Sequence, residues 1–579
     1  MRTVLSFLKP YKLPVIIAYT LTFFELIVEL LLPFFLGRMI NVGVKGEDLD
    51  YIIYWGSIMV GMSIAAFIAG IINSYFASHV SVSFAYDLRE KLFEKIQSFS
   101  FKHLQRFPTS SIVTRFTNDV RQVQQTLFMA LRVMVRAPLM VFGGVIMAFI
   151  INARLALIFL ITVPLLIFFI FWVLRKSTAM FRKVQSKVDF VNRVMQENLS
   201  NMRLVKAFLR RTYEESRFHR ANKGLADRTR STFRFVEAST PILIFIMNMS
   251  LISILWFGNI QSIAGETDVG DVVAIVNYAL RISMAISMFT FITMGLSRAQ
   301  ASASRLSTLL DVQVEEVESP SAADAPRITE GSITFEQVDF SYHKNKAQIL
   351  HDISFHVHGK ERLAIMGATG SGKTTLFQLI PRLYDATRGD IYIDNIPLTS
   401  YQMDYIRTNI GYVPQSPLLF SGSVRSNIAW GKEDATEIEI VQAAKKAQIH
   451  DTIMQLPKKY DTLIGQRGVN LSGGQQQRLS IARALVRTPQ ILMLDDSTSA
   501  LDMETEMRLL DAIEEDKCTT LIITQKVSTA MRADRILLMD KGSIQALGTH
   551  EELYQTSALY KKIVQSQFGK EFMHENESI

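Results

Sequence analysis

The stretch ERLAIMGATGSGKTTLFQLI, residues 361–380, decides the reading of the C-terminal half. An apolar run enters a glycine-rich turn and leaves as an apolar helical pattern. Within it, Gly367 to Thr374 read G-x-x-x-x-G-K-T, a P-loop in its strand–loop–helix context. Gly367, Gly370 and Gly372 let backbone N–H groups approach phosphates. Lys373 supplies positive charge to the β and γ phosphates, and the Thr374 hydroxyl is placed for Mg²⁺. Ala368, Thr369, Ser371 and Thr375 complete the cradle.

Two further stretches belong with it. NLSGGQQQRLSIARAL, 470–485, opens a helix on a serine and two glycines. Exposed N–H groups and the helix dipole make that a second phosphate device. One nucleotide does not need both, so Ser472, Gly473, Gly474 and Gln475 are expected to serve a nucleotide bound by another chain. ILMLDDSTSALD, 491–502, is an apolar strand ending in Asp495, a metal ligand by position, followed at once by Asp496.

The chain has 579 residues, which calls for two or more domains. Apolar residues make up 49%, a level that points to a membrane component. Net charge is +8, but Lys and Arg concentrate between apolar runs, which fits the positive-inside rule better than nucleic acid. One cysteine, Cys518, excludes an internal disulfide and reads as a small core residue.

The first three hundred residues hold six apolar runs long enough to span a bilayer: 13–36, 51–75, 128–150, 155–174, 238–262 and 271–296. INAR between the third and fourth, and QSIAGETDVG between the fifth and sixth, are short and poor in Lys and Arg. The segments after runs two and four are long and basic, with Arg89, Lys91 and Lys95 in one and Arg182, Lys183 and Lys187 in the other. That asymmetry places both termini in the cytoplasm. Apolar residues at helical spacing in these segments predict helical extensions of the spans, with turns near RFPTSSIVTRF (106–116) and KAFLRRTYEE (206–215).

Charges interrupt the spans: Glu25 and Glu29 in the first, Arg132 and Arg136 opening the third, Arg281 in the sixth. They read either as a polar translocation cavity, its glutamates favouring cationic substrates, or as a set of buried ion pairs. Residues 311–330, acidic and aperiodic, read as a linker between a membrane domain (1–310) and a nucleotide-binding domain (331–579).

Taken together, these motifs resemble those of ATP-binding cassette (ABC) exporters, as a half-transporter with six spans fused to an α/β ATPase domain. Tyr342, the Walker A loop 367–374, Gln415 in YVPQSPLLF, the signature LSGGQ at 471–475, the Walker B strand ending at Asp495 and SALD at 499–502 come in the family's order. GETDVGDVVAIVNY, 265–278, is also similar to the segment before the last span of such exporters. The resemblance implies ATP and Mg²⁺ as cofactors. It implies that Tyr342 stacks on adenine, that Thr374, Gln415 and Asp495 surround the metal, and that Ser472 and Gly474 clamp a γ-phosphate held by the opposite subunit.

Three positions depart from the family pattern. Asp496 stands for the catalytic glutamate, Gln525 for the switch histidine, and Gln466 for a glutamate before the signature. Aspartate is one methylene shorter, and a misplacement of about 1 Å costs about 10²-fold. Gln525 can neither carry imidazolium charge nor shuttle a proton. The chain therefore resembles the degenerate-site subunit of bacterial heterodimeric multidrug exporters. Its expected partner is a second half-transporter with an intact glutamate, its substrate an amphipathic compound, and its location the cytoplasmic membrane. A homodimeric lipid flippase and an ATP-gated channel or regulator are the other readings.

Overall fold

A computed structural model of the chain describes residues 2–313, 326–342 and 348–568. Two compact units emerge: one runs to Ser98 and resumes from Phe107 to Gln313, and the other takes Phe99–Arg106 with the chain after Gln313. Most of the expected linker, 314–325, lies outside the described residues.

The first unit is helical. Its main elements are α1 (Lys12–Arg38), α2 (Leu49–Gln97), α3 (Thr109–Ile151), α4 (Ala153–Ser200), α5 (Arg211–Ile263) and α6 (Val269–Leu310). Each contains one of the six apolar runs, and each is long and apolar enough to cross a membrane. α2, α4 and α5 extend well past those runs: α5 has 53 residues, about 80 Å of helix against a bilayer core of about 30 Å. The turns fall earlier than expected, at 98–108 and 201–210, because Thr109–Thr114 and the residues from Arg211 are already helical. Each holds a short helix, Phe101–Leu104 and Met202–Ala207, and Pro108 stands just before α3.

Lipid tails are as apolar as leucine, so helix packing here rests on close fit rather than on expelling water. Gly37 on α1 and Gly270 on α6 show this. A Cβ on Gly270 would stand 2.1 Å from the Gly37 carbonyl oxygen, so only glycine permits the approach. Asn41 seals the same end, donating from Nδ2 to Asp271 at 2.9 Å and accepting from the Gly270 N–H at 2.7 Å. α3 is not uniform: wider π turns interrupt it at Arg115–Asp119 and Ala130–Met134.

The second unit is α/β. An antiparallel sheet orders β2 (Leu350–Val357), β1 (Ile333–Phe340), β4 (Arg388–Ile393) and β5 (Ile396–Pro397). A six-stranded sheet orders β10 (Ser543–Gly548), β9 (Arg535–Asp540), β3 (Arg362–Gly367), β8 (Thr519–Ile523), β7 (Ile491–Asp495) and β6 (Ile410–Val413). All pairs in it are parallel except β9–β10. β7 and β8 are buried along their whole length, which is why they read as unbroken apolar runs rather than alternating ones. Parallel strands put their C-terminal ends on one edge, and in such sheets that edge takes the ligand. Cys518 is a free, buried thiol.

Candidate functional site

β3, β7 and β8 end side by side, and a cleft of roughly 290 Å³ opens at that edge. Thr369, Gly370, Gly372, Lys373, Thr374, Thr375, Gln415, Asp495, Asp496 and Gln525 line it, so residues from four loops far apart in sequence converge. After β3 the chain must turn within the glycine-rich loop and start α7 (Lys373–Leu379). Gly367 has φ 153°, and a Cβ there would lie 2.2 Å from the Met539 carbonyl oxygen. Gly372 caps α7 at φ 97°, in the left-handed region that favours glycine. Ala368 and Ser371 complete the loop without lining the cleft. Ser371 is buried and receives a bond from the lysine beneath it.

Lys373 Nζ donates to the carbonyls of Gly367 and Ala368, both at 2.8 Å, and to Ser371 Oγ at 3.3 Å. Burial holds its ammonium below the ordinary lysine range, although Asp495 and Asp496 pull the other way. Thr374 Oγ1 donates to Asp495 Oδ1 at 3.2 Å, pairing two oxygens of the kind hard cations take. Burial pushes the Asp495 carboxyl up. The Thr374 bond and the Lys373 charge oppose that shift, and the Asp496 charge adds to it. The Tyr412 phenol is pushed up to about 12 by burial and by the Asp495 charge.

Asp496 sits in a left-handed backbone conformation, φ 45°, uncommon for aspartate. Its N–H donates to the Ile523 carbonyl at 2.9 Å, and its carbonyl accepts from Ser499 Oγ at 2.9 Å. The carboxylate is taken by Gln415, whose Nε2 donates to Oδ2 at 3.3 Å. Gln525 lines the cleft opposite, its carbonyl receiving Gln567 Nε2 at 2.6 Å.

Ser472, Gly473, Gly474 and Gln475 do not line this cleft. They open α8 (Gly473–Leu485), where Ser472 and Gln475 form a capping box, with the Ser472 N–H donating to Gln475 Oε1 at 2.9 Å. Ser472 and Gly473 are exposed. Tyr342 stands beside the loop rather than in the cleft lining. Its hydroxyl donates to Gln378 Oε1 at 2.9 Å and lies 3.1 Å from Thr375 Oγ1, and its ring packs edge-on against Phe340 and Tyr384. Tyr384 in turn accepts from Gln105 Nε2 at 2.6 Å, at the short helix Phe101–Leu104.

Residues that the sequence did not single out hold these loops. Buried Glu506 pairs with Lys526 at 2.6 Å and accepts from Thr498 and Thr529, both at 2.7 Å, tying the loop after β7 to the loop after β8. Gln477, third in the QQQ run of the signature helix, accepts from the Ala500 N–H at 3.0 Å. That run was the only visible sign of it. Gln567 and Glu506 gave none, because their partners lie on other loops, 8 to 42 positions away and at no regular spacing.

In the membrane unit, Glu29 lines a separate cavity and Glu25 is buried behind it. Neither is a bare carboxylate. Arg136 bridges them, at 3.1 Å from Glu25 and 2.6 Å from Glu29, and Arg281 reaches Glu29 at 3.0 Å. Asn73 adds a bond to Glu25 at 3.2 Å. Of the two readings of these charges, the distances favour the set of ion pairs, with Arg136 and Arg281 on the two glutamates.

Residues 15–286 match the ABC transporter transmembrane region and residues 350–499 match the ABC transporter domain. The uncharacterized ABC transporter ATP-binding protein YfiB of Bacillus subtilis (strain 168) is 52% identical over 571 residues, 99% of each chain. This chain is an ABC transporter. The ATP-dependent lipid A-core flippase of Syntrophus aciditrophicus (strain SB) is 34% identical over 487 residues, 84% of this chain and 80% of that one. A bacterial Atm1-family ABC exporter, solved with ATP bound, aligns with a TM-score of 0.79 at 25% identity, covering 96% of this chain and 99% of that one. This ABC transporter is thus an exporter half: a multi-pass membrane region fused to an ATPase domain whose hydrolysis is coupled to transport.

Proposed function

We propose that this ABC exporter subunit is the weak-site half of a heterodimer in the cytoplasmic membrane, moving amphipathic compounds outward. The observation that carries the reading is Asp496. It stands where a hydrolytic glutamate is needed, its carboxylate is one methylene short, and Gln415 holds it. Gln525 across the cleft offers no imidazole. The signature serine and glycines do not line this chain's own cleft, and Ser472 and Gly473 are exposed, which favours service to a partner's nucleotide. Exposed Leu204, Phe208 and Leu209 at the Met202–Ala207 turn are the kind of apolar surface a second chain covers.

At this chain's own site, the loop 367–375 would hold the phosphates, with Lys373 as the cation they would meet. Thr374, Asp495 and Gln415 would hold Mg²⁺, oxygen donors of the kind this ion takes. The ion would supply positive charge against the phosphates. Tyr342, beside the loop, would offer its ring to the adenine. The basic segments flanking the Phe101–Leu104 and Met202–Ala207 turns favour a cytoplasmic ATPase domain and termini.

A homodimeric lipid flippase is the second reading, its flippase part favoured by the relative named ATP-dependent lipid A-core flippase. The two part on ATPase activity. The chain purified alone hydrolyses ATP slowly, and coexpression with a half-transporter carrying the glutamate restores turnover and ATP-dependent uptake of dye into inverted vesicles. Robust, substrate-stimulated turnover by the homodimer overturns the heterodimer reading.

A further inference from the structure

A cavity of 310 Å³ lies among α1, α3 and α6 in the membrane unit. That volume is at the lower end of ordinary small-molecule sites. Its charged wall is Glu29, Arg132, Arg136 and Arg281. The apolar wall is rich in methionine, with Met129, Met140, Met284 and Met288. Unbranched thioether side chains adapt to apolar bodies of different shape.

The charges do not balance. Three guanidiniums face two carboxylates, counting buried Glu25 behind the wall. Arg136 is shared between Glu25 and Glu29, and Arg281 is held by Glu29. Arg132 has no carboxylate within ion-pairing distance among the described residues, and it is only half-buried. It sits within the π turn Ala130–Met134, a wider turn of the kind often found at functional sites. An ionisable group at membrane depth is costly unless it meets a partner, water or a ligand.

We propose that this cavity binds amphiphiles whose polar group is an anion (carboxylate, sulfonate or phosphate), with Arg132 as the guanidinium that receives it. The guanidinium fork matches such planar or tetrahedral oxyanions in paired hydrogen bonds. A cation entering the same space meets a net positive wall. Glu29 is not available to it without breaking two ion pairs. The inference rests on the exporter reading above and narrows its substrate class.

The test uses two amphiphiles with the same tail, dodecanesulfonate and dodecyltrimethylammonium. Each is measured by equilibrium dialysis against the full-length chain in phosphatidylcholine nanodiscs, corrected with empty discs of the same lipid. The sulfonate binds saturably and about tenfold or more tighter than the ammonium, as for a charge-assisted contact. Arg132→Gln removes that preference, and Arg132→Glu reverses it. Arg132 holds no ion pair among the described residues, so these variants fold where Arg136→Gln, which orphans Glu25, risks failure. Equal binding of the two ions, or a preference that survives Arg132→Gln, overturns the proposal.

Displacement of the sulfonate by fluorescent phosphatidylglycerol but not by taurocholate assigns the anion to a lipid. The reverse assigns it to a soluble amphiphile. Displacement by neither overturns the proposal. The underlying reading is checked separately, by ATP-dependent accumulation of a neutral amphiphile in inverted vesicles from cells coexpressing a competent partner. If that proceeds without an anion preference, only the cavity proposal falls. If no amphiphile of any charge accumulates, the proposed amphiphile-exporting heterodimer falls instead.

Discussion

Gln415 Nε2 donates to Asp496 Oδ2 at 3.3 Å, so two residues of the cleft lining, 81 positions apart in sequence, meet through their side chains. In the proposed weak site, this short side chain on a left-handed backbone position orients water poorly. Asp496→Asn should therefore change turnover of the co-assembled transporter by less than about twofold, whereas loss of a well-placed general base costs about 10²–10⁴-fold. Asp496→Glu with Gln525→His should raise phosphate release by the chain alone by about 10²-fold. A collapse of turnover with Asp496→Asn makes Asp496 a real base.

Ser472→Arg puts a bulky cation at the exposed N-terminus of α8 and breaks the capping box with Gln475. ATPase and transport by the heterodimer should fall by at least about 10²-fold, as when a transition-state contact is lost. ATP photolabelling of this chain's own loop should persist, because these residues do not line its cleft. Lys373→Ala should do the opposite, cutting labelling here while leaving part of the turnover.

Arg136 sits between two carboxylates, one of them buried. Arg136→Gln should destabilise the membrane unit by about 3–5 kcal/mol, the cost of orphaning a buried charge. Thermal unfolding in detergent reads this. Glu25→Gln added to Arg136→Gln should recover part of the loss, because the uncompensated carboxylate is then gone. No recovery means that the arginine acts through packing.

Asp394 starts the two-residue turn between β4 and β5, and it accepts from the N–H groups of Thr329, Glu330 and Ser332 at 2.6–3.1 Å. Burial raises its carboxyl, but these backbone bonds outweigh that and hold it below the ordinary range. A depressed carboxylate contributes stability above its unfolded pKa, near 3.9. That contribution is lost as pH falls through the lower folded value. Asp394→Asn should cost about 1–3 kcal/mol at neutral pH. In melts as a function of pH, the difference from the parent should shrink only on the acid side of the unfolded pKa. A constant difference across that window refutes the assignment.

Tyr384 accepts from Gln105 and packs edge-on against Tyr342, whose hydroxyl reaches the α7 residues Thr375 and Gln378. Tyr384→Phe keeps the ring packing and turns the Gln105 amide loose. Basal ATPase should stay within about twofold, while stimulation by transported substrate should be lost. Unchanged stimulation shows that the contact carries no coupling.

Much of the molecule was legible in the sequence because its signals are local. A bilayer demands about 20 apolar residues in a row, so the runs named the six spans. A phosphate cradle demands glycine, lysine and threonine at fixed spacing, so 367–374 announced itself. The lost methylene at Asp496 was equally plain, because it is a matter of residue type. Tertiary structure decided everything that depends on which side chains meet across long separations. It brought Asp495 to Thr374, 121 positions away, and Asp496 to Gln415. It hung the loops on Glu506 and Gln567, whose partners no periodicity reveals. Above all it set the sign of the membrane cluster. Sequence placed Glu25 and Glu29 on one helix face, but only packing brought Arg136 and Arg281 onto them and left Arg132 over. Charge on a helix face depends on the neighbouring helices, and a linear pattern contains no information about which helices those are.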